Sequence, residues 1–376
     1  MSLPALKRRL AYLAEEAGRS GTRIFAVGGC VRDWLLGRDT VDIDLAVEGD
    51  PGPLARTALR LWGGGQEAHE RFGTACLKLE DGLRLDFART RAESYERPAA
   101  LPKVRPAGIE DDLRRRDFTV NAMARPLTPM GLGELLDPFG GKADLEARRL
   151  RALHPRSFED DPTRLFRAAR YAARFGLAPD KETRSLIASA AERGLAGLLS
   201  RERVRQELLR TLEEEEASPA MALLKEWGLL GAFHPDFLWL PSTDMDSDPL
   251  LRLGVCALVM GARGEEFIRS LKLERALARD ILLVLTMVQE RKSPCKPLPA
   301  LTRELLETHL KGLPETALEP LMLGGEDLKR LGLKPGREFS RLLGEAAEAQ
   351  WRGEFETKIQ ALVWVKDALK KQSGRG

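Results

Sequence analysis

Two aspartates that alternate along one short apolar run constrain this chain more than any other feature of its sequence. Residues 41–47 read Val-Asp-Ile-Asp-Leu-Ala-Val, a β-branched and apolar run that predicts a strand. Side chains on a strand alternate between its two faces, so Asp42 and Asp44 project to the same side while Ile43 points into a core. The spacing therefore predicts one apolar strand face and one face that bears two carboxylates.

Carboxylates at this spacing, about 7 Å apart along a strand, suit a pair of divalent cations held about 3.5–4 Å apart. Gly28 and Gly29 precede the strand, and their lack of a Cβ atom lets the backbone turn sharply and approach phosphate oxygens. Residues 30–36 predict a short helix whose N-terminal amides favour an anion. Either feature alone is more often an ordinary turn or a solvated strand face. Their combination predicts a site where a nucleoside triphosphate meets two metal ions.

Two longer motifs resemble those of one known family. Residues 28–33 (Gly-Gly-Cys-Val-Arg-Asp), with the Asp-Ile-Asp of residues 42–44, resemble the first motif of the class II tRNA nucleotidyltransferases and bacterial poly(A) polymerases. Residues 112–124 (Asp-Leu-Arg-Arg-Arg-Asp-Phe-Thr-Val-Asn-Ala-Met-Ala) are similar to the second motif of that family. The resemblance implies an α/β catalytic head of the nucleotidyltransferase type, with a mixed β-sheet flanked by helices, followed by an all-α neck, body and tail.

The domain organisation changes near residue 140. Before it, short apolar runs alternate with helical stretches, which predicts a mixed α/β domain. After it, strand signals vanish and leucine and alanine recur at helical spacing, with breaks at residues 241–248 and 293–299. With the resemblance, this pattern predicts four domains: a head (residues 1–138), a neck that selects the nucleotide (139–215), a body (216–298) and a tail that binds tRNA (299–376).

Residues 83–88 predict a second strand, and it carries one acidic residue, Asp86, among apolar ones. A third carboxylate on a neighbouring strand would add a metal ligand or accept the proton of the attacking hydroxyl. The alternative is an aspartate at a strand edge that pairs with Arg84 or Arg89. We therefore assign the catalytic role to Asp42, Asp44 and Asp86, and the metal ions to the first two.

Arginines and polar residues of the second motif are predicted to bind the nucleotide. Arg115 and Arg116 offer planar donor forks that suit a triphosphate, with Arg32 and Asp33 of the first motif beside them. Asp117 and Asn121 either bind the ribose hydroxyls or orient those arginines. Arginine clusters are more often solvated helix faces, but the motif around this cluster favours a site. The predicted nucleotide-binding residues are Gly28, Gly29, Arg32, Asp33, Arg115, Arg116, Asp117, Asn121, Asp161, Arg164, Arg167 and Arg170.

Nucleotide selection is predicted on a helix that begins near Asp161 and Pro162. Asp161 and Arg164 are three residues apart and would share a helix face, offering an acceptor and a donor to the Watson–Crick edge of a base. An ordinary surface ion pair is the alternative. The family motif reads Glu-Asp-x-x-Arg, so this chain departs from it with Asp160. Arginines at positions 164, 167, 170 and 174 recur at helical spacing, and such a stripe can contact phosphates.

Two connecting segments carry further expectations. Residues 95–109 contain three prolines and predict an extended, mobile loop that can act as a lid. Part of it, residues 98–104, resembles the corresponding stretch of bacterial family members that often add only part of the CCA end. Residues 137–145 resemble the hinge motif of the family, in which Gly140 and Gly141 allow a turn that lets the head tilt.

Composition limits the partners. Sixty Lys and Arg residues against 57 Asp and Glu leave a net charge of +3, so a nucleic-acid surface must come from local clustering. The four cysteines and four histidines are dispersed, so neither a zinc site nor a disulfide framework is expected. Without a run of about 18 apolar residues or a signal peptide, we expect no membrane partner and a cytoplasmic location.

Three functions follow from these motifs and the resemblance. The first is an RNA nucleotidyltransferase that adds all or part of CCA to the acceptor end of tRNA from CTP or ATP. Asp42 and Asp44 would hold two Mg²⁺ ions while the 3′-hydroxyl attacks the α-phosphorus and releases pyrophosphate. The second is a poly(A) polymerase, which shares the head motifs but commonly carries a long basic tail. The third, a catalytically silent RNA-binding protein, is disfavoured because all the site residues are present. The addition of CC, A or the whole CCA stays open.

Overall fold

A computed structural model describes four stretches of the chain, residues 3–69, 73–241, 248–310 and 312–373. They form two compact units, one of residues 1–199 and 226–228 and one of residues 200–225 and 229–376. The division into head, neck, body and tail is finer than these two units and stays a prediction. In the described stretches, no helix is both long enough and apolar enough to cross a membrane.

The first unit contains all the strands of the described residues and eight α-helices. The strands are β1 (Arg23–Val27), β2 (Asp42–Glu48), β3 (Gly65–His69), β4 (Thr74–Lys78), β5 (Arg84–Arg89), β6 (Arg91–Ser94), β7 (Lys103–Pro106), β8 (Ala124–Thr128), β9 (Gly131–Leu132), β10 (Arg149–Leu150) and β11 (Ala178–Pro179). The helices are α1 (Leu3–Arg19), α2 (Gly29–Leu35), α3 (Gly52–Trp62), α4 (Ile109–Arg114), α5 (Gly141–Glu146), α6 (Ser157–Asp160), α7 (Thr163–Phe175) and α8 (Lys181–Glu192). A 3₁₀ turn, Thr119–Asn121, lies between α4 and β8.

Seven strands form one mixed sheet in the order β3-β4-β5-β2-β1-β8-β9. Its pairings are antiparallel except that of β2 with β5, which is parallel. The parallel pair places Asp42 opposite Arg84 and Asp44 opposite Asp86. The mixed sheet with flanking helices confirms the fold class predicted for the head.

The two faces of this sheet are covered by different helices. On one face, Ile43 and Leu45 of β2 are buried in the main core with residues of α1 and α3. On the other face, Ala46 packs in a smaller cluster with Ile109 and Leu113 of α4. Because side chains alternate along a strand, the aspartates two and four residues before Ala46 belong to this second face. The burial of Ile43 confirms the alternation predicted from the sequence.

The segment after β5 is more ordered than predicted. Strands β6 and β7 pair as an antiparallel hairpin, with Arg91 opposite Pro106 and Ser94 opposite Lys103. At the tip of the hairpin, the Ala99 N–H donates to the Glu159 carbonyl oxygen at 3.2 Å. Strand β7 therefore occupies part of the predicted loop over residues 95–109, and the mobility of this loop and its action as a lid stay predictions. The proline at position 106 ends a strand of a two-stranded sheet, a place where a missing N–H is tolerated.

After residue 140 the chain is helical, as predicted, with one small exception. Strands β10 and β11 pair in parallel, Arg149 opposite Ala178, so strand structure does not vanish there. Two residues are too few to produce an alternating pattern in a sequence. The predicted break at residues 293–299 separates two helices, and most of the other break, residues 242–247, lies outside the described residues.

The second unit is helical throughout its described residues. Apart from the last residue of α10, it contains α9 (Arg201–Leu212), α10 (Ser218–Glu226), α11 (Pro249–Val259), α12 (Gly264–Ser270), α13 (Arg275–Glu290), α14 (Ala300–His309), α15 (Gly325–Arg330), α16 (Arg337–Trp351) and α17 (Lys358–Ser373). Leu328, Leu342, Phe355 and Val365 are buried together where the last three helices meet. The buried Arg252 donates to the carbonyl oxygen of Leu212 at 2.7 Å, which satisfies the end of α9.

Candidate active site

Three aspartates form a row on one face of the sheet where the parallel strands β2 and β5 meet. Asp44 lies opposite Asp86, and Asp42 precedes Asp44 by two residues on the same face. Burial raises the pKa of the Asp44 carboxyl, and the nearby Asp86 and Asp42 raise it further against the opposing effect of Arg116. The row therefore concentrates negative charge at one point, as the alternation of residues 42 and 44 predicts.

Asp86 also has a partner on its own strand. The Arg84 Nη2 lies 3.1 Å from Asp86 Oδ2, and its Nε donates to Oδ1 at 3.3 Å. This is the ion pair that the sequence offered as the alternative to a catalytic role. Yet the strand register also brings Asp86 beside Asp44, so the two interpretations are compatible. The role of Asp86 as a ligand or base stays a prediction.

The donor set of this row fits Mg²⁺. Carboxylate oxygens are the hard ligands that Mg²⁺ prefers, and it is usually held through one or two carboxylates plus substrate phosphates. Burial is the main cause of the raised pKa of Asp44, and the smaller contribution from repulsion by Asp86 and Asp42 is the effect that a bound cation would relieve. No cluster of three or more His, Cys, Asp and Glu side chains able to hold a metal is found within residues 3–69, 73–241, 248–310 and 312–373. The assignment of metal ions to Asp42 and Asp44 stays a prediction.

The glycine turn lies directly beside an arginine. Gly28 follows β1 with φ of +70°, a conformation that favours glycine, and its N–H donates to the Met123 carbonyl oxygen at 3.0 Å. A Cβ atom at Gly28 would collide with Nη1 of Arg116. Gly29 then begins helix α2. The turn is therefore needed to let the guanidinium lie against the backbone, within reach of the Asp44 charge.

Arg115 and Arg116 are both held by one buried carboxylate. Asp112, 1% exposed, accepts from Nη2 of Arg115 at 2.8 Å and from Nη2 of Arg116 at 3.1 Å. Burial disfavours its charge, but the two guanidiniums outweigh burial and lower the pKa of Asp112. Asp112 is not among the residues predicted for the site, although its spacing of three and four residues from these arginines was a usable signal.

A chain of buried polar side chains runs from the first motif to helix α7. Arg32, 5% exposed, donates to Asn121 Oδ1 at 2.6 Å, and Asn121 Nδ2 donates to Asp117 Oδ1 at 3.0 Å. Asp117 then accepts from Nε of Arg167 at 2.7 Å. Asp33 pairs with Arg32 at 2.9 Å. Asp117 therefore orients Arg167 and Asn121 orients Arg32, and the main-chain oxygen of Asn121 also accepts from Nη1 of Arg116 at 3.5 Å. Contact of Asp117 and Asn121 with the ribose hydroxyls stays a prediction.

Helix α7 differs from its prediction at its first turn. Asp161 has extended backbone angles and ends α6, and α7 begins only at Thr163. Asp161 and Arg164 therefore do not share one helix face. The cause is Pro162, whose ring disfavours helical angles at the residue before it. Asp161 Oδ1 instead accepts from the Thr163 N–H at 3.0 Å.

The arginine stripe of α7 is mostly turned inward. Arg164 is 5% exposed and Arg170 is 4% exposed, while Arg167 is bound to Asp117. Arg164 and Arg170 are therefore buried, whereas Arg167 keeps 29% of its side chain exposed, and contact of this stripe with phosphates stays a prediction. The burial of Arg164 and Arg170 suits contact with a nucleotide in a cleft better than contact with an RNA backbone at the surface.

Two residues of the hairpin were missed by the sequence analysis. Glu93 accepts from Nη1 of Arg115 at 3.1 Å and from the Tyr95 hydroxyl at 2.8 Å. Burial raises the pKa of the Tyr95 hydroxyl, and Glu93 raises it further, while Arg164 lies close enough to oppose them. Glu93 and Arg115 are far apart in sequence, so only the folded hairpin reveals that they meet.

The Asp117 ion pair predicts a measurable pH dependence. Burial opposes the Asp117 charge, but Arg167 and Asn121 lower the pKa of Asp117 to about 2. A lowered pKa stabilises the fold above the ordinary value near 3.9, and this contribution of about 2 kcal/mol is lost as the pH falls toward 2. Asp117→Asn is therefore expected to lower the urea midpoint at pH 7 and to lose that deficit at acid pH. Urea unfolding at pH 7, 4 and 3 measures it.

The exposed Asp39→Asn serves as the control for that series, since Asp39 lies in the same unit and outside the polar chain. Its difference from the wild type should stay near zero at each pH. A deficit of Asp117→Asn that is constant from pH 7 to pH 3 would contradict the assigned ion pair.

Comparisons with known proteins agree with this geometry. Residues 24–151 match the family described as the poly A polymerase head domain, and residues 176–240 match one described as a probable RNA and SrmB-binding site of polymerase A. Among solved structures, one described as a CCA-adding enzyme in apo form II aligns with 98% of this chain and 96% of its own at 28% identity and a TM-score of 0.71. The Thermotoga maritima CCA-adding enzyme complexed with tRNA aligns over the same shares at 28% identity and a TM-score of 0.63.

Three curated relatives differ in their named activity. The A-adding tRNA nucleotidyltransferase of Halalkalibacterium halodurans is 32% identical over 95% of this chain and 91% of its own length. The CC-adding enzyme of Deinococcus radiodurans is 34% identical over 91% of this chain and 89% of its own. The A-adding enzyme of Geobacter sulfurreducens is 40% identical over 63% of this chain, which spans only 28% of that relative's length.

A mixed sheet with a carboxylate row beside a glycine turn and clustered arginines defines the first unit as a nucleotidyltransferase head. The relatives that match almost the whole chain narrow this class to one family. The chain belongs to the family of the tRNA nucleotidyltransferases and bacterial poly(A) polymerases.

Proposed function

We propose that this chain is a template-independent RNA nucleotidyltransferase that adds all or part of the 3′-terminal CCA to tRNA. The nucleotides come from CTP, ATP or both, and each addition releases pyrophosphate. The observation that carries the proposal is the register of β2 and β5, which sets Asp44 beside Asp86, with Arg116 close enough to act on the charge of Asp44. A cytoplasmic location, where tRNA is processed in bacteria, is part of the same proposal.

Different residues of the head have different roles in the proposed reaction. When bound by Asp42 and Asp44, Mg²⁺ would lower the pKa of the primer hydroxyl and neutralise charge on the departing pyrophosphate. Arg116, lying against the Gly28 turn, is placed to bind the triphosphate by charge-assisted hydrogen bonds. Asp112 fixes its guanidinium, so the arginine is oriented before the nucleotide arrives.

Selection of the base is assigned to Asp161 and Arg164. Arg164 is oriented by several acceptors, and Asp161 offers a carboxylate in the extended link between α6 and α7. A donor and an acceptor fixed by protein can discriminate the edge of cytosine from that of adenine without a template strand. Solved relatives described as complexes with CTP and with ATP support these two nucleotides as the substrates.

A primer-extension assay tests the proposal. Three tRNA transcripts, ending at the discriminator base, at C and at CC, are incubated with CTP or ATP, and the products are sequenced. Addition of CC alone, of the terminal A alone or of both identifies the activity, and chelation with EDTA is expected to stop it. A long tract of A on arbitrary RNA would instead identify a poly(A) polymerase. No transfer with any primer in the presence of Mg²⁺ would contradict the proposed function.

A further inference from the structure

The guanidinium of Arg164 is surrounded by neutral acceptors. Its Nη1 donates to Ser157 Oγ at 2.8 Å and lies 3.4 Å from Nε2 of His154. Its Nη2 donates to the main-chain oxygen of Arg115 at 2.6 Å. With Arg164 only 5% exposed, these contacts fix the plane of the guanidinium before any nucleotide binds.

The acidic residue that the family motif would place in support of this arginine is directed elsewhere. Asp160 pairs with Nη2 of Arg156 at 3.2 Å, and its charge acts on His154 rather than forming an ion pair with Arg164. No ion pair joins Arg164 to a carboxylate among the residues that the structure describes. The departure from Glu to Asp at this position thus coincides with a different means of holding Arg164.

Ser157 has the properties that such a support requires. It is 0% exposed, begins helix α6 and contacts Arg164 through its hydroxyl, while its main-chain oxygen lies 3.5 Å from the same nitrogen. A hydrogen bond from a charged donor to a buried hydroxyl is stronger than one between neutral groups. Among the described residues no carboxylate is hydrogen-bonded to Arg164, although its charge acts on Asp117, so its remaining N–H donors stay available to an acceptor on the base.

We propose that Ser157, with the main-chain oxygen of Arg115, is the positioning residue that sets Arg164 for nucleotide selection, and that Asp160 does not have this role. The inference rests on the proposed function, because it takes Arg164 as the arginine that faces the base. Two hydrogens on Nη1 and one on Nη2 are taken up by these contacts. The Nε hydrogen and the second Nη2 hydrogen then remain for the nucleotide.

Steady-state kinetics of one nucleotide addition test this assignment. Ser157→Ala is expected to raise the KM of the preferred nucleotide about tenfold and to narrow its preference over the other, because the lost bond is a charge-assisted one. The kcat should change by less than about twofold, since the carboxylate row is untouched. Asp160→Ala is the matched variant, expected to keep both KM and preference. Equal far-UV circular dichroism and thermal midpoints establish that each variant is folded.

A double variant separates a positioning role from a general structural one. If Ser157 acts through Arg164, then Ser157→Ala adds nothing to the loss of selection caused by Arg164→Ala. Independent, multiplying losses would overturn the proposal. So would a loss of preference in Asp160→Ala that Ser157→Ala does not share.

Equilibrium binding of ATP and of CTP, measured by dialysis without primer, distinguishes failure of this inference from failure of the proposed function. Weaker and less selective binding by Ser157→Ala supports the inference whether or not transfer occurs. Equal affinities in the wild type and Ser157→Ala would overturn it. Absence of transfer in the wild type, by contrast, contradicts only the proposed function.

Discussion

Asp44→Asn is expected to reduce nucleotide transfer about a thousandfold, because several kcal/mol of transition-state stabilisation depend on a charged oxygen ligand at this position. Asparagine keeps the shape of the side chain but removes the negative charge that lies close to the charges of Asp42 and Asp86. The strand itself should persist, since the apolar face of β2 is unchanged. The measurement is single-turnover extension of a tRNA primer at saturating nucleotide and Mg²⁺.

Asp39→Asn is the matched control, since Asp39 is exposed and lies three residues before the carboxylate row. It should extend the primer at the rate of the wild type. Primer binding by Asp44→Asn, measured by gel shift, should also match the wild type. If Asp44→Asn kept a tenth or more of the activity, the assignment of the divalent cations to this row would be wrong.

Gly141→Ala is expected to destabilise the first unit by about 1–3 kcal/mol, the usual cost of forcing an extra atom into a packed site. A Cβ atom on Gly141 would collide with the main-chain oxygen of Thr119. The sequence predicts a hinge at this glycine pair, but in the structure Gly141 packs closely and its N–H donates to Asp137 Oδ1 at 2.6 Å. The 3₁₀ turn that begins at Thr119 also carries Asn121, so transfer activity should fall with stability.

Thermal unfolding measures this effect, with an expected fall in midpoint of about 5 °C for a unit of this size. Gly18→Ala is the control, because Gly18 is exposed in helix α1 and a Cβ atom there meets nothing within 4 Å. It should leave the midpoint unchanged or raise it slightly, as alanine favours helices. A normal midpoint for Gly141→Ala would show that the turn of residues 119–121 yields easily; the hinge at this glycine pair stays a prediction.

The features of the site that follow local rules were predictable from the sequence. The alternation of Asp42, Ile43 and Asp44 sets their faces regardless of tertiary context, and the structure confirms it. The glycine pair and the arginine motif carried the resemblance to the family, which the comparisons confirm. A short-range pattern of this kind can be predicted from the sequence, because neighbouring residues determine it.

The sequence could not show which side chains meet once the chain has folded. Ser157 and Arg164 meet only because Pro162 breaks the helix between them, and Glu93 reaches Arg115 only after the hairpin folds. The prolines of that hairpin were interpreted as signs of a mobile loop, although a proline at a strand end is compatible with pairing. In each case, the sequence showed the prolines, whereas the partner of each side chain became visible only in the folded chain.

The pairing of β2 with β5 also limits which insertions and deletions in the gene leave this head functional. Loss of a single codon between Val41 and Asp44, or between Arg84 and Asp86, would rotate every later side chain of that strand to the opposite face. One carboxylate would then enter the core beside Ile43, and an apolar residue would replace it in the row. Insertions and deletions that persist should therefore fall in the turn that ends at Leu83, where Gly82 with φ of +83° already reverses the chain.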